Sequence, residues 1–280
     1  MKKILIPTDF SEEAGIAIEF AVELALKNGL AIKLVHVYEY PMSSAYSTLD
    51  IGGPDPTESE FVRTMIDKNK SLLEKSARQI LDRGVQVDHE LKIGNPFINL
   101  IKELDSDGYE LVIMGSKGSS GFEEMIIGSN AEKVVRHAFC PVITLKGPIK
   151  INTIKDIVFA SDFKGDHPEL IRHLKQLQTY FGAKIHFVRI NSLNSFEPDI
   201  ISKRRINKWL ENQMFDNFDV RIYNDTDEEE GMIHYAEEIG ADMLAMGTHG
   251  RTGFAHLFSG SLAEDIVNHV KRPIWTLKMK

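Results

Sequence analysis

The chain has 280 residues, 42% of them hydrophobic and 26% charged, and a formal net charge of −8 at pH 7. That length suits about two ordinary globular domains, and the acidic balance argues against nucleic acid as a partner, because phosphate contacts need clustered Lys and Arg. No apolar run approaches the ~20 residues of a membrane-spanning helix, and Cys140 stands alone, so neither an internal disulfide nor a cysteine-built zinc site is available.

In chain order, "MKKILIPTDFSEE" opens with two lysines and a short apolar run. Pro7, Asp9, Glu12 and Glu13 interrupt that run before a secretory core forms, and a cytoplasmic location is expected. Residues 3–8 read as a buried parallel strand. Residues 11–29 read as a helix with Ser11 as N-cap, apolar residues at helical spacing and Gly29 as the stop. Strands are expected over 32–37, 85–93, 110–115 and 141–146, and helices over 58–83, 96–108 and 130–138. Such alternation predicts a parallel sheet with helices on both faces.

The second half repeats the first. "ELVIMGSKGSSGFEEMIIGSNAEKVVRHAFCPVITLK" (110–146) aligns without gaps with "DMLAMGTHGRTGFAHLFSGSLAEDIVNHVKRPIWTLK" (242–278), and "KKILIPTDFSE" (2–12) answers "KDIVFASDFKG" (155–165). Asp9 and Asp162 are 153 positions apart but Gly115 and Gly247 only 132, so the second copy is 21 residues shorter between these landmarks. Most of the difference is expected in the Pro/Gly/Ser-rich stretch 38–60. The copies divide into expected domains 1–147 and 153–280, each a five-stranded Rossmann-like α/β unit.

In open sheets of this kind ligands bind beyond the carboxyl ends of strands, where strand order reverses. Two loops of each copy therefore matter: the one after the first strand (Pro7, Thr8 and Asp9; Ser161 and Asp162) and the one after the fourth (Met114 and Gly115; Met246 and Gly247). The second loop carries G-x2-G-x9-G-S twice, as Gly115, Gly118, Gly128, Ser129 and as Gly247, Gly250, Gly260, Ser261. At ordinary glycine frequency one such match arises by chance in about one chain per hundred. A plain turn, a bulge and a surface of exposed amides all call for glycine here. In the last case the first pair forms an anion-binding concavity, and Gly-Ser at a helix N-terminus favours a phosphate. The Walker sequence and the G-x-G-x-x-G dinucleotide fingerprint are both absent.

On these residues the chain resembles the tandem members of the universal stress protein family, for which G-x2-G-x9-G-[ST] is the ATP-binding motif. The resemblance implies ATP or another adenine nucleotide, with Mg2+ as a companion. It implicates Asp9, Val37, Gly115, Gly118, Gly128, Ser129 and Asn130 in the first half. In the second it implicates Asp162, Ile190, Gly247, Gly250, Gly260, Ser261 and Leu262. It also implies that "PVITLK" (141–146) and "PIWTLK" (273–278) pair edge to edge within one chain, making the chain its own dimer; further association of two chains is a separate expectation. The halves differ at several points: Pro7 becomes Ala160, His36 becomes Arg189, and "GNP" (94–96) has no clean counterpart in "NDTDEEEGM" (224–232). Glu123 and Glu124 fall inside the first x9 segment, whereas the second loop carries His249 and Arg251.

Other candidates read more simply. "DTDEEE" (225–230) is a solvated acidic loop rather than a magnesium site, and "KRR" (203–205) is the solvated face of a helix. His36 and His186 are packed strand histidines, Ser116, Ser119 and Ser120 are turn residues, and Cys140 is a structural thiol. No metal-ligand spacing and no catalytic residue stands out, so any hydrolysis of ATP is expected to be slow. The leading expectation is a nucleotide-binding stress-response regulator. The alternatives are a slow ATPase or nucleotidyl-transfer enzyme using the same cleft, and a dimer-like scaffold with one site lost.

Overall fold

A computed structural model describes residues 2–39, 56–106, 108–116, 129–249 and 272–279. The first half contains β1 (Lys3–Pro7), α1 (Glu12–Asn28), β2 (Ala31–Tyr38), α2 (Pro56–Asp82), β3 (Val87–Ile93), α3 (Pro96–Ser106), β4 (Tyr109–Gly115), α4 (Ser129–His137) and β5 (Val142–Leu145). A 3-10 turn (Ile151–Thr153) leads to the second: β6 (Asp156–Ala160), α5 (Pro168–Phe181), β7 (Lys184–Asn191), α6 (Asp199–Leu210), β8 (Phe218–Asn224), α7 (Glu228–Glu238), β9 (Met243–His249) and β10 (Ile274–Met279).

The described strands form one sheet in the order β3-β2-β1-β4-β5-β10-β9-β6-β7-β8. All neighbours are parallel except β5 and β10, which run antiparallel with Ile143 opposite Trp275. Those two residues are equivalent in the repeat, so a pseudo-twofold axis passes through their pair. Around it Thr144 Oγ1 donates to the Ile274 carbonyl and Thr276 Oγ1 to the Val142 carbonyl, each at 3.5 Å. The expected edge-to-edge pairing of fifth strands is thus what joins the halves, and it covers two apolar strand edges that would otherwise be open to other chains.

Helices lie on both faces because connections that step outward and connections that return must use opposite sides of a right-handed sheet. On one face α1, α2, α5 and α6 bury Phe20, Leu73, Leu174 and Trp209; on the other α3, α4 and α7 bury Leu100, Val134 and Met232. The inner strands β1, β4, β5, β6 and β9 are mostly apolar, as parallel strands covered on both faces should be, whereas β3 and β8 at the ends of the described sheet carry more polar residues. Ser11 caps α1 by accepting from the Ala14 amide at 3.2 Å, and Gly29 ends it at φ 65°, as the sequence suggests. Across the axis α1 meets α5: the Phe20 and Phe181 rings lie 6.1 Å apart, and Lys27 Nζ donates to the Phe181 carbonyl at 3.0 Å. No described helix is long and apolar enough to cross a membrane.

Candidate functional site

Strand order reverses at β1, between β2 and β4, and again at β6, between β7 and β9. At each reversal the connections leave toward opposite faces and open a crevice at the carboxyl edge.

The first crevice begins where β1 ends at Pro7. The Thr8 amide donates to the Val35 carbonyl at 2.9 Å, which holds the strand against β2 one residue further. The chain then turns sharply: Thr8 Oγ1 accepts from the Phe10 amide at 3.1 Å, and Asp9 Oδ1 accepts from the Ser11 amide at 3.0 Å and from the Ser11 hydroxyl. Phe10 takes φ 63°, a left-handed conformation unusual for a bulky side chain. His36 supports it, with the two rings 4.4 Å apart and His36 Nδ1 2.7 Å from the Thr8 carbonyl. A carbonyl only accepts, so Nδ1 carries the hydrogen. Burial pushes the imidazole below its ordinary pKa and keeps it neutral near pH 7, despite the Thr8 contact and the nearby Asp9 charge, which act the other way.

Across the crevice Met114 is buried and Gly115 ends β4, while the Ser116 amide continues the pairing to the Leu145 carbonyl at 2.8 Å. A Cβ on Gly115 would sit 2.8 Å from Glu13 Cβ and 3.0 Å from the Glu13 backbone. This glycine therefore lets the first turn of α1 lie across the end of β4, a packing reason that the sequence does not suggest. Val37, near the end of β2, is half-buried; Ser129 begins α4 and Asn130 is exposed on it. Gly118 and Gly128 lie outside the described residues.

The second crevice repeats the turn. Ser161 Oγ accepts from the Phe163 amide and Asp162 Oδ1 from the Lys164 amide, both at 3.0 Å, and Phe163 has φ 54°. The Thr-Asp-Phe and Ser-Asp-Phe turns are thus the same device, and in both the aspartate closes the turn by accepting from the amide two residues on. Arg189 changes what surrounds it. Its guanidinium is buried and donates to Ser202 Oγ at 2.9 Å, to Asn191 Oδ1 at 3.2 Å and to the Ser195 carbonyl at 2.9 Å. Glu197 joins the network through Ser202 and Arg205, and Arg205 also donates to the Asp162 carbonyl at 3.3 Å. Residues 192–198 are thereby tied to the carboxyl end of β7.

Gly247 lies inside β9 rather than at its end, since the strand continues through Thr248 to His249 alongside Leu277–Met279. A Cβ there would meet Met279 Cε at 2.8 Å. Met246 is buried, and Gly250, Gly260, Ser261 and Leu262 lie outside the described residues. The loop positions Ser119, Ser120, Glu123, Glu124 and Arg251 also lie outside them.

Two readings of the surface change. The acidic stretch at 225–230 is not a solvated loop. Asp227 Oδ1 accepts from the Glu229 amide at 2.8 Å and starts α7, whose first turn is Glu228–Glu230 with Glu229 buried. In the basic cluster Lys203 and Arg204 are exposed as expected, but Arg205 is drawn inward by Glu197. His186 is packed, between Asp219 at 2.9 Å and Asp156 at 2.8 Å. Burial pushes the Cys140 thiol up to about 12, which suits a structural rather than a reactive cysteine. Among the described residues no group of His, Cys, Asp and Glu is arranged to hold a metal. A cavity of about 510 Å3 lies behind the first turn, between α1 and α2, with Thr8, Phe10 and Ser11 at its mouth and Lys75 and Arg83 among its walls.

A doubled α/β unit with crevices at two strand-order reversals is the class that the fold defines. The chain matches the model of the Universal stress protein family over residues 1–146 and 219–278, and it belongs to that family. Universal stress protein Slr1230 of Synechocystis is 24% identical over 292 residues, covering 99% of this chain and all of that protein. Universal stress protein MJ0577 of Methanocaldococcus jannaschii is 29% identical over 153 residues, which is 52% of this chain and 94% of its own. In fold, the crystal structure of a universal stress protein from Archaeoglobus fulgidus superposes with a TM-score of 0.75 at 21% identity, over 99% of this chain and 96% of the other.

Proposed function

We propose that this protein binds ATP or another adenine nucleotide at the carboxyl edge of its sheet and acts as a regulator in the stress response, holding its ligand rather than turning it over. The observation that carries this reading is that the neighbouring strands β1 and β4 end at the first reversal of strand order, one in the Thr8–Asp9 turn and the other in Gly115, which opens the G-x2-G-x9-G-S stretch. The residues fit such a ligand. Asp9 is exposed and Val37, near the end of the neighbouring β2, is half-buried, offering a polar group and an apolar surface for a base. The glycine stretch runs into α4 at Ser129, where unpaired amides and the helix dipole favour phosphate, with Mg2+ as counter-ion. The candidate contacts are Pro7, Thr8, Asp9, Val37, Met114, Gly115, Gly118, Gly128, Ser129 and Asn130. The boundaries go with this reading as domains 1–147 and 153–280, in a cytoplasmic protein.

A ligand that binds only the folded chain raises its stability by RT ln(1 + [L]/Kd), about 2.7 kcal/mol at a hundredfold excess over Kd. Millimolar ATP is expected to raise the Tm of the intact chain, while phosphate release stays negligible over the same period. An unchanged Tm overturns the nucleotide reading, and rapid turnover replaces it with the ATPase alternative.

A further inference from the structure

The two crevices share a backbone turn but not the space beside it. In the first, Val37 and Tyr38 are half-buried and Glu39 is exposed. In the second, the equivalent Ile190 is only 7% exposed, and the following Asn191 and Ser192 are 5% and 3% exposed. The cause is α7. A Cβ on Gly231 would fall 2.5 Å from Ile190 Cγ2, so the helix backbone rests directly on the side chain that the first half leaves partly open. The first-half counterpart of Gly231 in the repeat is Asn99, which is half-buried and directs its amide to the Ile93 and Asn95 carbonyls at 3.3 and 3.0 Å.

Charge at the starts of α3 and α7 differs in the same direction. The first turn of α3 carries no acid, and Asn95 Oδ1 caps it neutrally by accepting from the Ile98 amide at 3.1 Å. Its positive dipole end is left for an anion at the crevice. The first turn of α7 carries three glutamates behind the Asp227 cap, which offset that dipole and repel phosphate. Among the described residues, two arginines on this side are engaged within the chain, Arg189 by Ser202, Asn191 and Ser195, and Arg205 by Glu197 and the Asp162 carbonyl.

We infer that the chain takes one adenine nucleotide, in the first half, and that the second half is a nucleotide-free partner whose crevice is filled by its own α7 and by the Arg189 network. This rests on the nucleotide reading above and adds to it a stoichiometry and an address. The duplicated glycine motif then marks shared ancestry in the second half, with the occupancy decided by what packs beside it.

The test uses the full chain with ATP. Native mass spectrometry is expected to give one ATP per chain, and photolabelling with 8-azido-ATP followed by peptide mapping is expected to mark peptides of residues 1–147. Val37→Trp, which fills the open crevice, is expected to weaken binding at least tenfold while circular dichroism shows the fold retained. If that variant does not fold, Asp9→Ala, on an exposed turn, takes its place. Two ATP per chain, label in residues 153–280, or binding unchanged in the substituted chain overturns the inference and leaves the nucleotide reading standing. No ATP bound by the unsubstituted chain overturns the nucleotide reading itself.

Discussion

The two halves build the same turn at the end of their first strand and support it by different means. In the first, a neutral histidine donates a single hydrogen bond to the turn's carbonyl and packs its ring at a tilt against Phe10. In the second, a buried guanidinium reaches past the turn, gathers residues 191–202 around itself and closes the end of β7. A duplicated sequence can therefore keep its backbone geometry while one copy trades an open crevice for a polar network. That difference sits in a pair of residues, His36 and Arg189, that occupy equivalent strand positions.

The comparison breaks most visibly at that pair. Arg189→Ala removes three hydrogen bonds from buried groups and is expected to cost about 3 kcal/mol, whereas His36→Ala is expected to cost about 1–2 kcal/mol. Urea unfolding of the two variants measures the gap, and equal losses would show that the network adds nothing to the second half.

The glycines come next. Gly115→Ala places a Cβ against the Glu13 backbone, which cannot step aside without moving α1, and is expected to cost about 2 kcal/mol. Gly247→Ala meets only the flexible end of Met279 and, at 3.4 Å, Leu170, so less than about 1 kcal/mol is expected. Matching denaturation midpoints would mean that α1 is not seated on β4 as described.

A smaller, pH-dependent difference lies at Glu103, whose repeat counterpart is Tyr235. Burial acts to raise the Glu103 carboxyl's pKa, but Lys92 at 2.6 Å and the Tyr109 hydroxyl at 2.5 Å overcome it and hold the value below the usual range. A carboxyl depressed in the folded state stabilises above its unfolded value of about 4.3 and loses that contribution as pH falls through the folded value. Glu103→Gln is expected to lower stability by about 1 kcal/mol at pH 7 and by nearly nothing in strong acid. A gap that persists into acid would remove the ion pair from the account.

Much of the fold was legible because its signals are local or repeated. Ser11 and Gly29 bound α1 through cap chemistry that depends on a few adjacent residues, and the apolar runs of β1 and β4 match strands covered on both sides. The paired "PVITLK" and "PIWTLK" segments pointed to the seam because an apolar edge needs a partner and each half supplies one. The site was legible only as positions. Asp9 and Asp162 do follow the first strand of each half, but their turn geometry depends on a left-handed phenylalanine three residues beyond the strand end, for which sequence carries no strong signal. The acidic stretch at 225–230 resembled a loop because Asp and Thr favour turns, whereas Asp227 caps the Glu229 amide and the glutamates of the first turn suit the positive end of a helix.

By itself the sequence determined a tandem α/β repeat, because spacing and periodicity survive duplication and need no knowledge of distant contacts, and its motifs resemble those of the universal stress protein family. Only the tertiary structure decided how the halves differ. Whether Gly231 meets Ile190, or Arg189 reaches Ser202, depends on helices brought together across a sheet by residues far apart in the chain. Close packing turns such small differences in approach into the difference between an open crevice and a filled one.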